Sequence, residues 1–62
     1  MEIKMLQTRR GSRDGSHVVR YYKDVVYYGV PELLAHEFID KGWAIVATLQ
    51  DMKDQIERSK AL

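Results

Sequence analysis

Apolar and polar residues recur along this chain at two periods, and each stretch predicts an element. Glu2 to Thr8 alternates at the two-residue period of a strand, with Ile3 and Met5 on one face and Lys4 on the other. Leu6 breaks the alternation and is expected to meet a second layer. Arg9 to Ser16, RRGSRDGS, is polar with two glycines and predicts a loop; Asp14-Gly15 is its hairpin-turn signal. His17 to Lys23 holds Val18, Val19, Tyr21 and Tyr22 and predicts a strand returning antiparallel to the first. Lys23-Asp24 predicts a tight reversal, and Val25 to Tyr28 a third short strand.

The period then lengthens. Pro31 suits the first position of a helix, where its missing N–H costs nothing, and Glu32 meets the positive end of the helix dipole. Leu34 and Phe38 lie four apart, Leu33 and Ile39 widen the same stripe, and Glu37 to Lys41 forms an i,i+4 pair outside. Gly42 is expected to end this helix of residues 31–41 in the left-handed conformation, bringing Trp43 back onto Phe38. Trp43 then serves as a core plug, or, if exposed beside Tyr27 or Tyr28, as an anchor for a partner. Ala44 to Val46 predicts a short strand. Thr48 with Asp51 predicts a capped second helix, with Asp54 to Arg58 paired along it. Its apolar residues, Leu49, Met52 and Ile56, form a narrow seam at three-then-four spacing. Two turns of seam are too short to hold a dimer alone, so this helix packs on its own domain or on a neighbour.

The expected fold is therefore α+β. A small antiparallel sheet of two to three strands, with a short extra strand allowed, is packed by one helix over residues 1–47. The C-terminal helix of residues 48–62 either belongs to that unit or serves as an interaction helix.

Composition narrows the function classes. A chain of 62 residues is one domain at most, and at that size only about 60% of the unfolded surface is buried. It has no cysteine, which excludes disulfides and Cys-based zinc sites, so tight packing or a partner must replace such staples. Hydrophobic content of 45% beside 31% charged residues is that of a globular chain. No apolar run approaches the roughly 20 residues of a membrane span, and MEIKMLQTRR lacks the order of a signal peptide. The net charge of +1 conceals an asymmetry: residues 1–30 carry six basic residues against three acidic, and residues 31–62 four against six.

The side chains offer binding chemistry and no reaction chemistry. Arg9, Arg10 and Arg13, with Arg20 and Lys23, would suit phosphate oxygens, and Tyr21, Tyr22, Tyr27 and Tyr28 would give stacking platforms if they lie on an open face. Strand alternation sends half of those tyrosines inward. RRGSRDGS matches neither glycine-rich nucleotide fingerprint. His36 and Asp40 share a helix face, an arrangement more often a surface pair than a metal site. Ser12, Ser16 and Ser59 lie in no nucleophile setting. No catalytic residue, cofactor or metal is expected.

MEIKMLQTRRGS followed by VVRYYKDVVYYGVPELLAHEFIDKGWA resembles a group of very short, mostly uncharacterised bacteriophage and prophage proteins. These open with a lysine-bearing apolar strand and a glycine loop, and continue through a tyrosine-bearing hairpin to V-P-x-x-L-A-x-x-F-I-x-x-G-W-A. Val30, Pro31, Leu34, Ala35, Phe38, Ile39, Gly42, Trp43 and Ala44 carry the match to that pattern. Asp24, where glycine would be easier, and the tyrosine pairs depart from it. The resemblance implies a gene of the virion structural (head or neck) module, and a protein-binding accessory rather than an enzyme; it transfers no functional residue. The expected function is self-association, or binding of a virion protein, in the host cytoplasm or the virion. The interaction residues are the exposed members of Tyr21, Tyr22, Tyr27 and Tyr28, together with Leu49, Met52 and Ile56. The alternative is a nucleic-acid-binding module using Arg9, Arg10, Arg13, Arg20 and Lys23.

Overall fold

The computed structural model describes residues 1–60 and has an α+β fold. Strands β1 (Ile3–Met5), β2 (Arg9–Ser12), β3 (Val18–Tyr21) and β4 (Val26–Tyr27) precede helix α1 (Glu32–Asp40); β5 (Ala44–Val46) and helix α2 (Leu49–Lys60) follow. Two antiparallel sheets form, one in the order β4-β1-β5 and the other the β2–β3 ribbon.

The expected first strand is thus split. Alternation holds from Ile3 to Met5, both fully buried. The N–H groups of Leu6 and Gln7 then both donate to the Trp43 carbonyl, at 2.7 and 3.3 Å, and the chain leaves the sheet. It re-enters β structure at Arg9, so the expected loop of residues 9–16 is in part a strand. The partner of β3 is β2, not β1: Arg9 lies opposite Tyr21, Arg10 opposite Arg20, and Ser12 opposite Val18. The sequence RRGS has little strand propensity of its own, and packing overrides that. Gly11 lies under α1, where a Cβ would stand 2.7 Å from Phe38 Cζ and 3.0 Å from Leu34 Cδ1. Only a residue without a side chain lets the ribbon approach that closely.

The Asp14-Gly15 turn forms as expected. Asp14 Oδ1 accepts from the N–H of Ser16 at 2.8 Å and of His17 at 2.9 Å, and Gly15 takes φ +82°. At the second reversal Asp24 adopts φ +66°, and its N–H donates to the Met5 carbonyl at 2.8 Å, leading the chain back beside β1. Val25 to Tyr28 yields only a two-residue strand, β4, with Ile3 opposite Tyr27 and Lys4 opposite Val26.

Pro31 lies one residue outside the helix it was expected to open; its ψ of 136° is extended, and its carbonyl receives the Ala35 N–H at 2.9 Å. Leu34, Ala35 and Phe38 are buried, whereas Leu33 is 89% exposed and does not widen the stripe. Gly42 ends α1 with φ +76°. Its N–H donates to Ile39 and that of Trp43 to Phe38, the paired bonds of a Schellman stop. The Trp43 ring lies 6.1 Å from that of Phe38 and is half-buried against the core. Its role as a core plug is the one realised. The core joins Ile3, Met5, Tyr21, Val30, Leu34, Ala35, Phe38 and Ala44 between the β4-β1-β5 sheet, the ribbon and α1.

Thr48 and Asp51 form the expected reciprocal cap: the Thr48 N–H donates to Asp51 Oδ2 at 2.9 Å and the Asp51 N–H to Thr48 Oγ1 at 3.2 Å. Asp54 accepts from Gln50 Nε2 at 2.9 Å rather than pairing with Arg58. The expected helix runs to Leu62; residues 61 and 62 lie outside the described residues. The helix folds back on the sheet. Lys4 Nζ stands 3.6 Å from Asp51, and the Gln55 amide bonds the backbone of Val26. Antiparallel register sets Lys4, Val26 and Ile45 on one face of the sheet, opposite the face buried by α1.

Candidate functional site

The tyrosines divide as strand alternation requires. Tyr21 points inward and is buried, its ring edge-on to Tyr27 at 4.8 Å and to Phe38 at 5.3 Å. It is therefore a core residue and no contact residue. Tyr27 is half-buried, and its hydroxyl accepts the Tyr22 N–H at 2.8 Å. Tyr22 and Tyr28 are exposed.

The basic residues divide in the same way. Arg9, on the inner side of the ribbon, stacks its guanidinium 4.7 Å over Trp43 and donates to the Thr8 carbonyl and to Gln7. Lys41, itself 3.2 Å from Glu37, lies over the same indole at 4.8 Å. Arg13 donates to the Gly29 carbonyl. Both arginines thus hold the fold rather than a free face. Arg10 and Arg20, directly opposite one another, face outward beside Val18 and Tyr22, and these four line an open cleft of about 350 Å³. Among the described residues neither guanidinium meets a carboxylate or a hydrogen-bond acceptor. Lys23 is exposed just beyond Tyr22, with its N–H anchored on Thr8 Oγ1 at 3.0 Å.

The second surface is the seam of α2. No α2 residue is buried: Leu49 is 75% exposed, Ile56 50%, and Met52 is half-buried. The contacts fixing the helix to the sheet, through Asp51 and Gln55, are polar. They leave the apolar seam largely uncovered.

No family model, curated protein or solved structure matches the chain.

Among the described residues two carboxyls have perturbed acidity, Asp14 at the hairpin turn and Asp51 at the cap of α2. Asp14 is held well below the usual carboxylate range, chiefly by its contact with the His17 imidazole, 2.9 Å away, and then by the N–H groups of His17 and Ser16. Asp51 is lowered foremost by the Thr48 N–H, with the Thr48 hydroxyl and Lys4 adding. Both arrangements stabilise a charged carboxylate, exposed at Asp14 and part-buried at Asp51, and belong to the scaffold. Among the described residues no group of three or more His, Asp or Glu comes together, and no helix is long and apolar enough to cross a membrane.

In the sequence Val18 reads only as a strand residue, and Gln55 carries no assigned role. For the cleft a signal existed: Arg10 and Arg20 stand five residues either side of Gly15, so a turn centred there sets them opposite each other. Gln55 carried none, because its partner is the backbone of a strand 29 residues away.

Proposed function

We propose that the chain is a small non-catalytic binding protein of phage or prophage type, working by protein contact, and that its first partner is a second copy of itself joined through α2. One observation carries this reading: α2 is held to the sheet by polar bonds while Leu49 and Ile56 stay exposed and Met52 is only half-buried. An apolar seam that docking does not consume is suited to another surface.

Two features favour a second copy as that surface. The first turn of α2 is acidic at Asp51 and its last turn basic at Arg58 and Lys60, so an antiparallel pair of these helices sets opposite charges together at both ends. The core is also small, and a chain of this size with no cysteine gains stability from a shared interface. On the resemblance to phage proteins, we propose that such an assembly belongs to the virion head or neck module, with the protein in the host cytoplasm or the virion.

Thermal unfolding at several protein concentrations tests the reading. Folding coupled to association raises Tm with concentration. Wild type is expected to show that rise between micromolar and near-millimolar protein, and Ile56→Asp to abolish it while keeping the far-ultraviolet circular dichroism. A Tm independent of concentration in both proteins would overturn it.

A further inference from the structure

We infer that the outer face of the β2–β3 ribbon is an anion site for single-stranded nucleic acid, with Arg10 and Arg20 holding a backbone phosphate and Tyr22 stacking the adjoining base. This goes beyond the helix-mediated contact proposed above and uses a different surface.

Like charges directly opposite on a ribbon repel one another. The chain nevertheless places Arg10 against Arg20, and among the described residues no carboxylate relieves either. The nearest acid along the ribbon, Asp14, is engaged at the turn by Ser12, Ser16 and His17. The other two hairpin guanidiniums are taken up by Trp43 and by the Gly29 carbonyl. The pair that remains is an opposed, outward-facing fork. An anion between its arms replaces mutual repulsion with two charge-assisted contacts, which the planar donors of arginine can make bidentate.

The neighbouring groups select among anions. Tyr22 is 52% exposed and Val18 69%, and both line the same cleft as the guanidiniums. An aromatic face next to a pair of guanidiniums suits an unstacked base with its own phosphate, since stacking contributes without regard to sequence. A carboxylate-bearing peptide would use the fork and leave the ring without a partner. A duplex keeps its bases paired and out of reach of the ring. The backbone that carries the platform is also anchored before anything binds. The Tyr22 N–H donates to Tyr27 Oη, the Lys23 N–H to Thr8 Oγ1, and the ribbon beneath packs through Tyr21 and Gly11 against Phe38. Lys23 adds a further positive charge beside the ring.

Fluorescence anisotropy of labelled oligodeoxythymidylate against the full chain tests the site, with a duplex of equal length and a polyglutamate peptide as competing probes. The single strand is expected to bind at low salt with a log–log salt slope of about −0.7, the value for one neutralised single-strand phosphate. Arg10→Gln with Arg20→Gln is expected to weaken binding about tenfold or more, and Tyr22→Ala about fivefold or more. Lys53→Glu, which lowers the charge of α2 by the same two units, is expected to leave it unchanged. If the arginine variant loses its circular dichroism, Tyr22→Ala decides alone. Absence of binding at low salt, equal loss from the α2 variant, or binding of duplex or polyglutamate as tight as that of the single strand would each overturn the assignment.

Discussion

The side-chain amide of Gln55 reads both backbone polar groups of Val26: its Oε1 accepts the Val26 N–H at 2.6 Å, and its Nε2 donates to the Val26 carbonyl at 3.0 Å. Val26 lies in β4, an end strand of its sheet, so one glutamine does for that edge what another strand would. Leaving a part-buried donor and acceptor unpaired costs about 1–3 kcal/mol. Gln55→Ala is expected to destabilise the chain by that amount in urea unfolding, and to raise hydrogen exchange at the Val26 amide. Gln55→Glu is expected to fail similarly, because a carboxylate accepts the N–H but opposes the carbonyl.

Tyr21 gives a prediction of the opposite sign. Its hydroxyl is buried and, among the described residues, has no hydrogen-bond partner. A buried polar group left so loses its water and gains nothing in exchange. Tyr21→Phe keeps the ring contacts with Tyr27 and Phe38 and is expected to raise stability by about 1 kcal/mol, read from the urea midpoint at unchanged slope.

Gly11 tolerates no Cβ. The atoms it would meet belong to the rings of Phe38 and Tyr21 and to Leu34, all core side chains without room to retreat. Gly11→Ala is expected to cost about 1–3 kcal/mol, the usual effect of overpacking. Gly42→Ala meets no atom within 4 Å but must hold φ +76°. Its loss is expected near 1 kcal/mol, from backbone conformation alone. Urea unfolding of both variants checks the pair.

Acid acts through Asp14 and Asp51. Both carboxyls are lowered in the folded chain, so as pH falls the unfolded chain takes up the protons first and unfolding is favoured. Their contribution is full above the ordinary carboxylate value of about 4 and is lost as pH drops through the depressed folded values. Urea midpoints are expected to stay flat through neutral and mildly acid pH with respect to these groups, then to fall. Asp51→Asn is expected to remove part of that fall together with the cap of α2.

Local chemistry was legible in the sequence, and pairing at a distance was not. The Gly42 stop, the Thr48–Asp51 cap and the Asp14-Gly15 turn each depend on residues within a few positions, and each forms where the sequence places it. Pro31 missed by one residue, because its carbonyl opens the helix while its own ψ stays extended. β2 was hidden because RRGS has no apolar rhythm; it is a strand because Gly11 fits beneath Phe38, a contact 27 positions away in the chain. The split of β1 depends likewise on the Trp43 carbonyl. For the surfaces, composition named five basic residues, but alternation laid Arg9 over Trp43 and register brought Arg20 to Arg10.

Sedimentation equilibrium of the wild-type chain, run beside Ile56→Asp and Leu49→Asp, tests the central claim most directly. Exposed seam residues can change without disturbing the core, so any effect on mass belongs to the interface. The wild type is expected to exceed the 7.3 kDa monomer mass increasingly with concentration, and both variants to remain at it. A wild-type chain that stays monomeric at every concentration would contradict self-association through α2.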